Sequence, residues 1–164
     1  MKNRVLIAYA SKSGSTAEVA QQIGAVLGAR DEMVDVLPVG KVDDLSPYQT
    51  VILGSAIRMG QPLPEAVKFV EKNQAILKQK SFSTFLVCLT MKDDTEENRK
   101  TVAVYPESMR ALVKPVCEGI FAGALIPEKL GLVERLMMKA MKAPAGDYRN
   151  WAAVKTWAES LPVA

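Results

Sequence analysis

The fold is decided near the start of the chain, by the stretch Arg4-Val5-Leu6-Ile7-Ala8-Tyr9-Ala10-Ser11-Lys12-Ser13-Gly14-Ser15-Thr16. Its first half is an unbroken apolar run, which predicts a buried strand over residues 4–9. A helical pattern begins at Ser15, so the loop between them leads into a helix N-terminus, where backbone N–H groups lack intrahelical partners. Hydroxyl side chains and one glycine fill this loop. The stretch therefore predicts a site for a terminal phosphate monoester.

The spacing of this loop excludes two other kinds of phosphate site. The chain has neither the Gly-x-x-x-x-Gly-Lys-Ser/Thr pattern of nucleotide hydrolases nor, after the strand, the Gly-x-Gly-x-x-Gly of dinucleotide-binding domains. The pattern present is Ser/Thr-x-Ser/Thr-Gly-x-Thr, with Lys12 in second place. A plainer interpretation stays open, in which a serine-rich turn caps an ordinary helix and Ser15 and Glu18 form a capping box.

Composition and charge narrow the class of protein. A chain of 164 residues, 49% hydrophobic, fits one domain over residues 1–164. We expect a cytoplasmic protein, because no apolar run is long enough to span a membrane and the charged N-terminus leads directly into a strand.

Histidine is absent, which excludes a His-dependent hydrolytic triad, and no metal site is predicted. The isolated Cys88 and Cys117 predict buried, reduced thiols. A net charge of +3 suits an anionic substrate or membrane face, and is too weak for a nucleic-acid partner.

The rest of the chain alternates between strand and helix patterns. Strands are predicted over residues 32–37, 50–55, 82–89 and 119–126, and helices over 15–27, 64–77 and 94–113, the last bending at Tyr105-Pro106. A closing helix begins near residue 151. This order predicts an α/β fold with a doubly wound parallel sheet and helices on both faces. Ligands bind such sheets beyond the carboxyl ends of the strands, so the loops after the first, third and fourth predicted strands should form the site.

Two further stretches carry a family resemblance. They are Gly54-Ser55-Ala56-Ile57-Arg58-Met59-Gly60-Gln61 and Arg135-Leu136-Met137-Met138-Lys139-Ala140-Met141-Lys142. Together with the phosphate loop they resemble the flavodoxin-like family, and within it the menaquinone-dependent protoporphyrinogen oxidases. The resemblance covers nearly the whole chain. It implies a five-stranded sheet in the order 2-1-3-4-5, noncovalently bound FMN, hydride transfer from a porphyrinogen to flavin N5, and release of the electrons to a quinone.

The resemblance also implies a set of cofactor-binding residues. The phosphate would be held by Ser11, Lys12, Ser13, Gly14, Ser15 and Thr16. One edge of the isoalloxazine would meet Ala56, Ile57, Arg58, Met59 and Gly60, with the Gly60 backbone free to turn toward reduced N5–H. The pyrimidine edge would meet Leu89, Thr90, Met91, Lys92 and Asp93. Arg58 is the candidate catalytic residue, as a cation near the flavin or a substrate propionate; the alternative is a solvated loop arginine.

A nonenzymatic flavodoxin, which carries electrons to a redox protein, stays open as the alternative function. Electron-carrying flavodoxins are typically acidic, whereas this chain is mildly basic. Many members of the family also have an aromatic ring where this chain has Met59. Both departures favour the oxidoreductase.

An extra segment over residues 127–150 follows the fifth predicted strand. It contains an apolar stripe at helical spacing, with basic residues Arg135, Lys139 and Lys142 on the other side. We expect the stripe to pack on the domain. The alternative is peripheral contact of residues 130–142 with the inner face of the cell membrane, and a lid over the flavin is compatible with either. Position alone suggests that Tyr148 and Arg149 reach an anionic aromatic substrate.

Overall fold

A parallel sheet forms the centre of the structure, a computed structural model that describes residues 3–143 and 145–163. The strands in chain order are β1 (Arg4–Ala10), β2 (Met33–Pro38), β3 (Thr50–Arg58), β4 (Gln61–Pro62), β5 (Ser81–Cys88), β6 (Cys117–Ala122), β7 (Ala124–Leu125) and β8 (Gly146–Asp147). The five long strands lie in the order β2-β1-β3-β5-β6, all parallel. Counted along the chain, this is the predicted order 2-1-3-4-5, so the flavodoxin-like sheet is confirmed.

Helices cover both faces of this sheet. They are α1 (Ser15–Gly28), α2 (Pro64–Lys72), α3 (Gln74–Leu77), α4 (Glu96–Val102), α5 (Glu107–Arg110), α6 (Leu132–Ala140) and α7 (Trp151–Ser160). On one face Val5 and Ile7 of β1 pack with residues of α1 and α7. On the other face Leu6 and Ala8 pack with residues of α2. Successive strand residues point to opposite faces, so burial on both sides explains why β1 is apolar without alternation.

Two predicted helices are interrupted, and local chemistry explains each break. The helix predicted over residues 64–77 divides at Asn73, whose side-chain amide donates to the Phe69 carbonyl, 2.8 Å away, and so ends α2. The predicted helix over 94–113 divides into α4 and α5 around Pro106. Proline has no N–H to donate and crowds the preceding turn. The predicted bend at Tyr105-Pro106 is therefore confirmed.

The last predicted strand is also shorter than expected. β6 ends at Ala122, and the Gly123 N–H donates to the Cys88 carbonyl at 3.1 Å. The chain then leaves the main sheet, and β7 pairs antiparallel with β8. A 3₁₀ turn (Pro127–Lys129) and α6 lie between these two short strands. The extra segment therefore leaves the carboxyl edge of the sheet at β7 and returns to it at β8.

The apolar stripe of the extra segment does not pack on the domain, so that expectation is wrong. Leu132 and Val133 are each 71% exposed, and no residue of α6 is buried. The reason is the orientation of the helix, whose half-buried residues are Glu134 and Met138. At about 100° per residue these two lie on a different side of the helix from the stripe.

Two remaining sequence predictions concern the membrane and the cysteines. Among the residues that the structure describes, no helix has both the length and the apolar character needed to cross a bilayer. Cys88 is buried at the end of β5 and Cys117 is half-buried at the start of β6, and both are free thiols, as predicted. Burial raises the pKa of the Cys88 thiol, which keeps it protonated.

Candidate functional site

The sheet order brings three loops together at one edge. β1, β3 and β5 are neighbours and run parallel, so the segments that follow them lie side by side at the carboxyl edge. These segments are residues 11–14, the turn at 59–60 and the 3₁₀ turn Leu89–Lys92. This edge is where open α/β sheets bind ligands. The three predicted groups of site residues therefore follow neighbouring strands.

The first loop is folded by its own hydroxyl and glycine groups. Gly14 precedes α1 with φ +93°, a left-handed conformation that other residues adopt only under strain. Its N–H donates to Ser11 Oγ at 3.1 Å. No side chain among the described residues caps the helix, so the alternative interpretation, a capping box between Ser15 and Glu18, is wrong. The N–H groups of the first helical turn are left without intrahelical partners.

A buried hydroxyl at the start of α1 is available as a hydrogen-bond donor to an anion in this loop. Thr16 is fully buried, and its Oγ1 has no hydrogen-bond partner among the described residues. Such a group costs stability unless something pairs with it. A phosphate at the uncapped helix N-terminus would accept from the Thr16 hydroxyl and from the backbone N–H groups together. The residues present therefore fit a phosphate monoester.

Lys12 is less closely engaged with the loop than its neighbours. Its side chain is exposed, and Nζ lies 3.9 Å from Glu65 Oε1 at the start of α2. The ion pair leaves the amine at the rim of the site. Contact of Lys12 with the phosphate stays a prediction, as it does for the other residues of this loop.

The second loop is a tight hairpin rather than the open loop predicted over residues 56–62. β3 continues to Arg58, which pairs with Gln61 of β4, and Ile57 pairs with Pro62. Met59 and Gly60 form the turn with φ +53° and +74°, the positive values that a type I′ turn requires. Ser55 Oγ accepts from the Leu63 N–H at 3.0 Å and fixes the base of the hairpin.

Side chains on the hairpin differ in exposure. Ala56, Ile57, Arg58 and Gly60 are half-buried, whereas Met59 is 92% exposed at the tip. The Arg58 guanidinium lies 3.6 Å from Glu134 Oε2 of α6. The hairpin thus presents a cation at the site edge and joins this edge to the extra segment.

The third loop is a 3₁₀ turn that contacts two other parts of the chain. Its Lys92 Nζ lies 2.9 Å from Asp93 Oδ2 and 5.6 Å from the centre of the Tyr148 ring. The Asp93 carbonyl accepts from the Asn98 side-chain amide at 2.8 Å. Leu89, Thr90 and Met91 are half-buried. The Asp93 carboxylate raises the pKa of Lys92, so this loop keeps a cation next to a tyrosine ring.

A network of ion pairs lies beside the phosphate loop. Arg149 makes a bidentate pair with Asp147, at 2.9 Å and 2.7 Å, and also donates to Glu18 in the first turn of α1. Lys129 Nζ lies 3.3 Å from the other Glu18 oxygen. The Arg149 side chain is only 7% exposed. Glu18, Lys129 and Arg149 line one recess together with Ser13 and Ser15. The network therefore attaches the extra segment to the phosphate loop.

This network corrects the role suggested for Arg149. Its guanidinium is occupied by two carboxylates and stacks 4.8 Å from the Trp151 ring, so it is not free to reach a substrate. Lys129 and Glu18 were not predicted as site residues at all. An acid in a first helical turn is a common feature, and nothing local indicates its partner far along the chain.

Tyr105 is another residue that sequence reasoning missed. The position of a Cβ added at Gly60 would lie 3.5 Å from its Cε1 atom, so the ring borders the hairpin turn. The residue lies between α4 and α5, where the sequence indicated only a bend. Tyr105 and Tyr148 place an aromatic ring near the hairpin and near the third loop.

The ion-pair network predicts a dependence of stability on acid. Its hydrogen bonds from Arg149 lower the pKa of Asp147 from 3.8 to about 2 and lower that of Glu18 below 4.5. Carboxylates with lowered pKa values stabilise the fold above their unfolded pKa, and the contribution disappears as the pH falls through the folded pKa. We expect Arg149→Gln to lower the free energy of unfolding at pH 7 by about 1–3 kcal/mol. The difference from the parent should shrink between about pH 4.5 and pH 2 in urea titrations.

Arg99→Gln is the matched control for this prediction. Arg99 makes a bidentate pair with Asp94 of similar geometry, at 2.6 Å and 2.8 Å, but both side chains are more than half exposed. Exposed pairs contribute little because water screens them. A loss at Arg99 as large as at Arg149, or a difference at Arg149 that does not change with pH, would contradict the role of the network.

Comparison with known proteins agrees with this geometry. Residues 6–151 match the flavodoxin domain family. The chain is similar to the protoporphyrinogen IX dehydrogenase (quinone) of Leishmania major, with 27% identity over 98% of this chain and 77% of the relative. It is also similar to the protein of that name from Escherichia coli strain K12, with 23% identity over 96% of this chain and 94% of the relative.

Solved structures show the same fold. The flavodoxin of Streptococcus pneumonia TIGR4 superposes with a TM-score of 0.61 and 18% identity, over 96% of this chain and 97% of that one. The family match extends from β1 to the start of α7, and the loop after β1 has the uncapped helix N-terminus and free hydroxyl that a phosphate needs. The chain therefore belongs to the flavodoxin domain family, and its cofactor is FMN.

Proposed function

We propose that this protein is an FMN-dependent oxidoreductase that oxidises protoporphyrinogen IX and passes the electrons to a quinone. The observation that carries the proposal is the similarity to two protoporphyrinogen IX dehydrogenases (quinone), which extends over nearly the whole chain. The structure supports it with a half-buried cation, Arg58, at the edge of the site. When bound, FMN supplies the acceptor for hydride and the donor of electrons to the quinone.

The three loops would divide the binding of the cofactor among them. The hydroxyls and N–H groups of residues 11–16 would bind the phosphate, with Thr16 as the most buried donor. Residues 56–60 of the hairpin and residues 89–93 of the third loop would contact the two edges of the ring system. Met59, at the tip of the hairpin, has no aromatic ring to stack on the flavin. The Tyr105 ring borders the hairpin turn, and the Tyr148 ring lies beside Lys92 of the third loop.

Arg58 would orient the substrate. Protoporphyrinogen has propionate groups, and a guanidinium binds a carboxylate through two parallel hydrogen bonds. Glu134 lies 3.6 Å from this guanidinium, a longer distance than a direct charged hydrogen bond prefers. A substrate carboxylate would replace Glu134 at Arg58, so the pair holds the cation in place until a substrate arrives.

An electron-carrying flavodoxin is the second candidate function. The solved structures with the same fold include flavodoxins, so the architecture serves both functions. The mild positive charge and the lack of an aromatic ring at Met59 favour the oxidoreductase, because electron-carrying flavodoxins are typically acidic and bind the flavin with aromatic rings. A partner of the carrier would be a redox protein instead of a small substrate.

Turnover with a porphyrinogen distinguishes the two candidates. The FMN-loaded protein is mixed anaerobically with protoporphyrinogen IX and a menaquinone analogue, and porphyrin formation is followed by its fluorescence. Free FMN at the same concentration is the control for spontaneous oxidation. Porphyrin formation well above that control supports the oxidase. Flavin binding without porphyrin formation would favour the carrier.

Arg58→Gln tests the role of this residue in the reaction. We expect FMN affinity to stay within about twofold, because the phosphate loop is unchanged. We expect kcat/KM for the porphyrinogen to fall about 10- to 150-fold, since a charged hydrogen bond contributes about 1.5–3 kcal/mol. Arg4→Gln, at the opposite edge of the sheet, is the control and should change neither value. Unchanged turnover in Arg58→Gln would show that Arg58 has no role in the reaction and only pairs with Glu134.

A further inference from the structure

The exposed side of α6 is unusual for a folded domain. Leu132, Val133, Leu136 and Met137 are between 52% and 71% exposed, although they lie next to one another along one side of the helix. Monomeric proteins rarely leave contiguous apolar patches of this kind without a binding role. We call these four residues the α6 apolar face.

The attachment of α6 to the domain fixes the direction of this face. Arg135 donates to the Pro127 carbonyl at 3.0 Å and to the Leu130 carbonyl at 3.4 Å, and so holds the start of the helix. Glu134 faces Arg58, and Met138 is half-buried beside it. With about 100° between successive residues, the α6 apolar face points away from the domain.

Basic groups border the apolar face. Arg135 and Lys139 lie together on one side of α6, and Lys142 follows the end of the helix with φ +54°; all three are exposed, and the acid of α6, Glu134, is paired with Arg58. An apolar face with cations along its border matches the boundary between the acyl chains and the anionic headgroups of a bilayer. A second copy of the chain fits less well, because a symmetric contact through this face would bring like charges together.

We infer that α6 is an interfacial helix that docks this protein on an anionic lipid surface. The α6 apolar face would enter the headgroup region, and Lys139 and Lys142 would contact the acidic lipids. The Arg58–Glu134 pair places the helix next to the hairpin, whose exposed Met59 offers a second apolar contact. Docking would therefore bring the carboxyl edge of the sheet to the bilayer. Access to a quinone dissolved in that bilayer is the part that rests on the proposed function.

Sedimentation with vesicles tests the docking separately from catalysis. The full chain, loaded with FMN, is mixed with vesicles of phosphatidylcholine alone or with about one third phosphatidylglycerol. We expect at least about tenfold stronger partitioning onto the anionic vesicles, decreasing with added salt. Lys139→Glu with Lys142→Glu, and separately Leu136→Ser with Met137→Ser, should each reduce this partitioning about tenfold or more.

Matched controls use exposed residues elsewhere on the surface. Lys78→Glu with Lys114→Glu makes the same change in net charge, and Val104→Ser with Val116→Ser removes the same kind of apolar exposure. Both controls should partition like the parent. Flavin fluorescence and porphyrin formation, measured on every variant without vesicles, report cofactor binding and the proposed function independently of docking, so loss of the proposed function and loss of docking give different results.

Three outcomes would overturn the inference. One is the absence of binding to the anionic vesicles. Another is equal binding of the parent and the two α6 variants. The third is a concentration-dependent dimer in sedimentation velocity that Leu136→Ser with Met137→Ser abolishes, without vesicle binding, which would assign the face to a second copy of the chain.

Discussion

FMN affinity should fall by about two to four orders of magnitude when Ser13→Ala and Thr16→Val are combined. The phosphate would lose two hydroxyl donors, and a hydrogen bond to a charged group contributes about 1.5–3 kcal/mol. Valine keeps the shape of Thr16, which is fully buried, so the backbone of the first turn should stay in place. Quenching of flavin fluorescence during titration measures the dissociation constant.

The same double variant should show that the loss of FMN affinity does not come from a loss of protein stability. The Thr16 hydroxyl has no hydrogen-bond partner among the residues that the structure describes, so Thr16→Val should leave the protein without FMN equally or more stable. Riboflavin, which lacks the phosphate, should bind the parent and the variant alike. Ser83→Ala is the matched control, because Ser83 Oγ is also buried without a hydrogen-bond partner in the described part of the chain but lies on β5 in the core. Unchanged FMN affinity in the double variant would contradict the phosphate-loop assignment.

The stability of the sheet should depend strongly on Gly54 in β3. A Cβ at this position would lie 2.0 Å from Phe85 Cζ and 2.5 Å from both Cε atoms. Phe85 is fully buried between Phe121 and Trp157, whose ring centres are 6.4 Å and 6.0 Å away, so its ring has little room to move. We expect Gly54→Ala to lower the free energy of unfolding by about 3 kcal/mol or more, measured by urea titration.

Two comparisons show whether the ring is the cause. Gly28→Ala adds the same methyl group at the end of α1, where nothing lies within 4 Å, and should be neutral or slightly stabilising. Adding Phe85→Leu to Gly54→Ala should cost less than the sum of the two single changes, because the smaller side chain makes room. Additive effects, or a Gly54→Ala protein as stable as the parent, would show that the sheet adjusts at this point.

The sequence alone predicted those features of the fold that depend on residues close together in the chain. The apolar run of β1 is buried on both faces, and such burial removes the alternation that a half-exposed strand would show. The loop after β1 has the glycine at positive φ and the uncapped helix that its sequence indicated. The identification of the cofactor and of the proposed substrate depended on resemblance, since no single acid or base in the chain indicates a hydride reaction.

Some features could be decided only by the tertiary structure. Arg149 meets Glu18 although many residues separate them in the chain, and a pair of opposite charges at such a distance leaves no local pattern. The hairpin at Met59 depends on two positive φ angles, and methionine does not indicate such a turn. The helical spacing of α6 predicted its apolar stripe but not its direction. Periodicity shows that one side of a helix is apolar, whereas the contacts of Glu134 and Met138 with the domain determine where that side points.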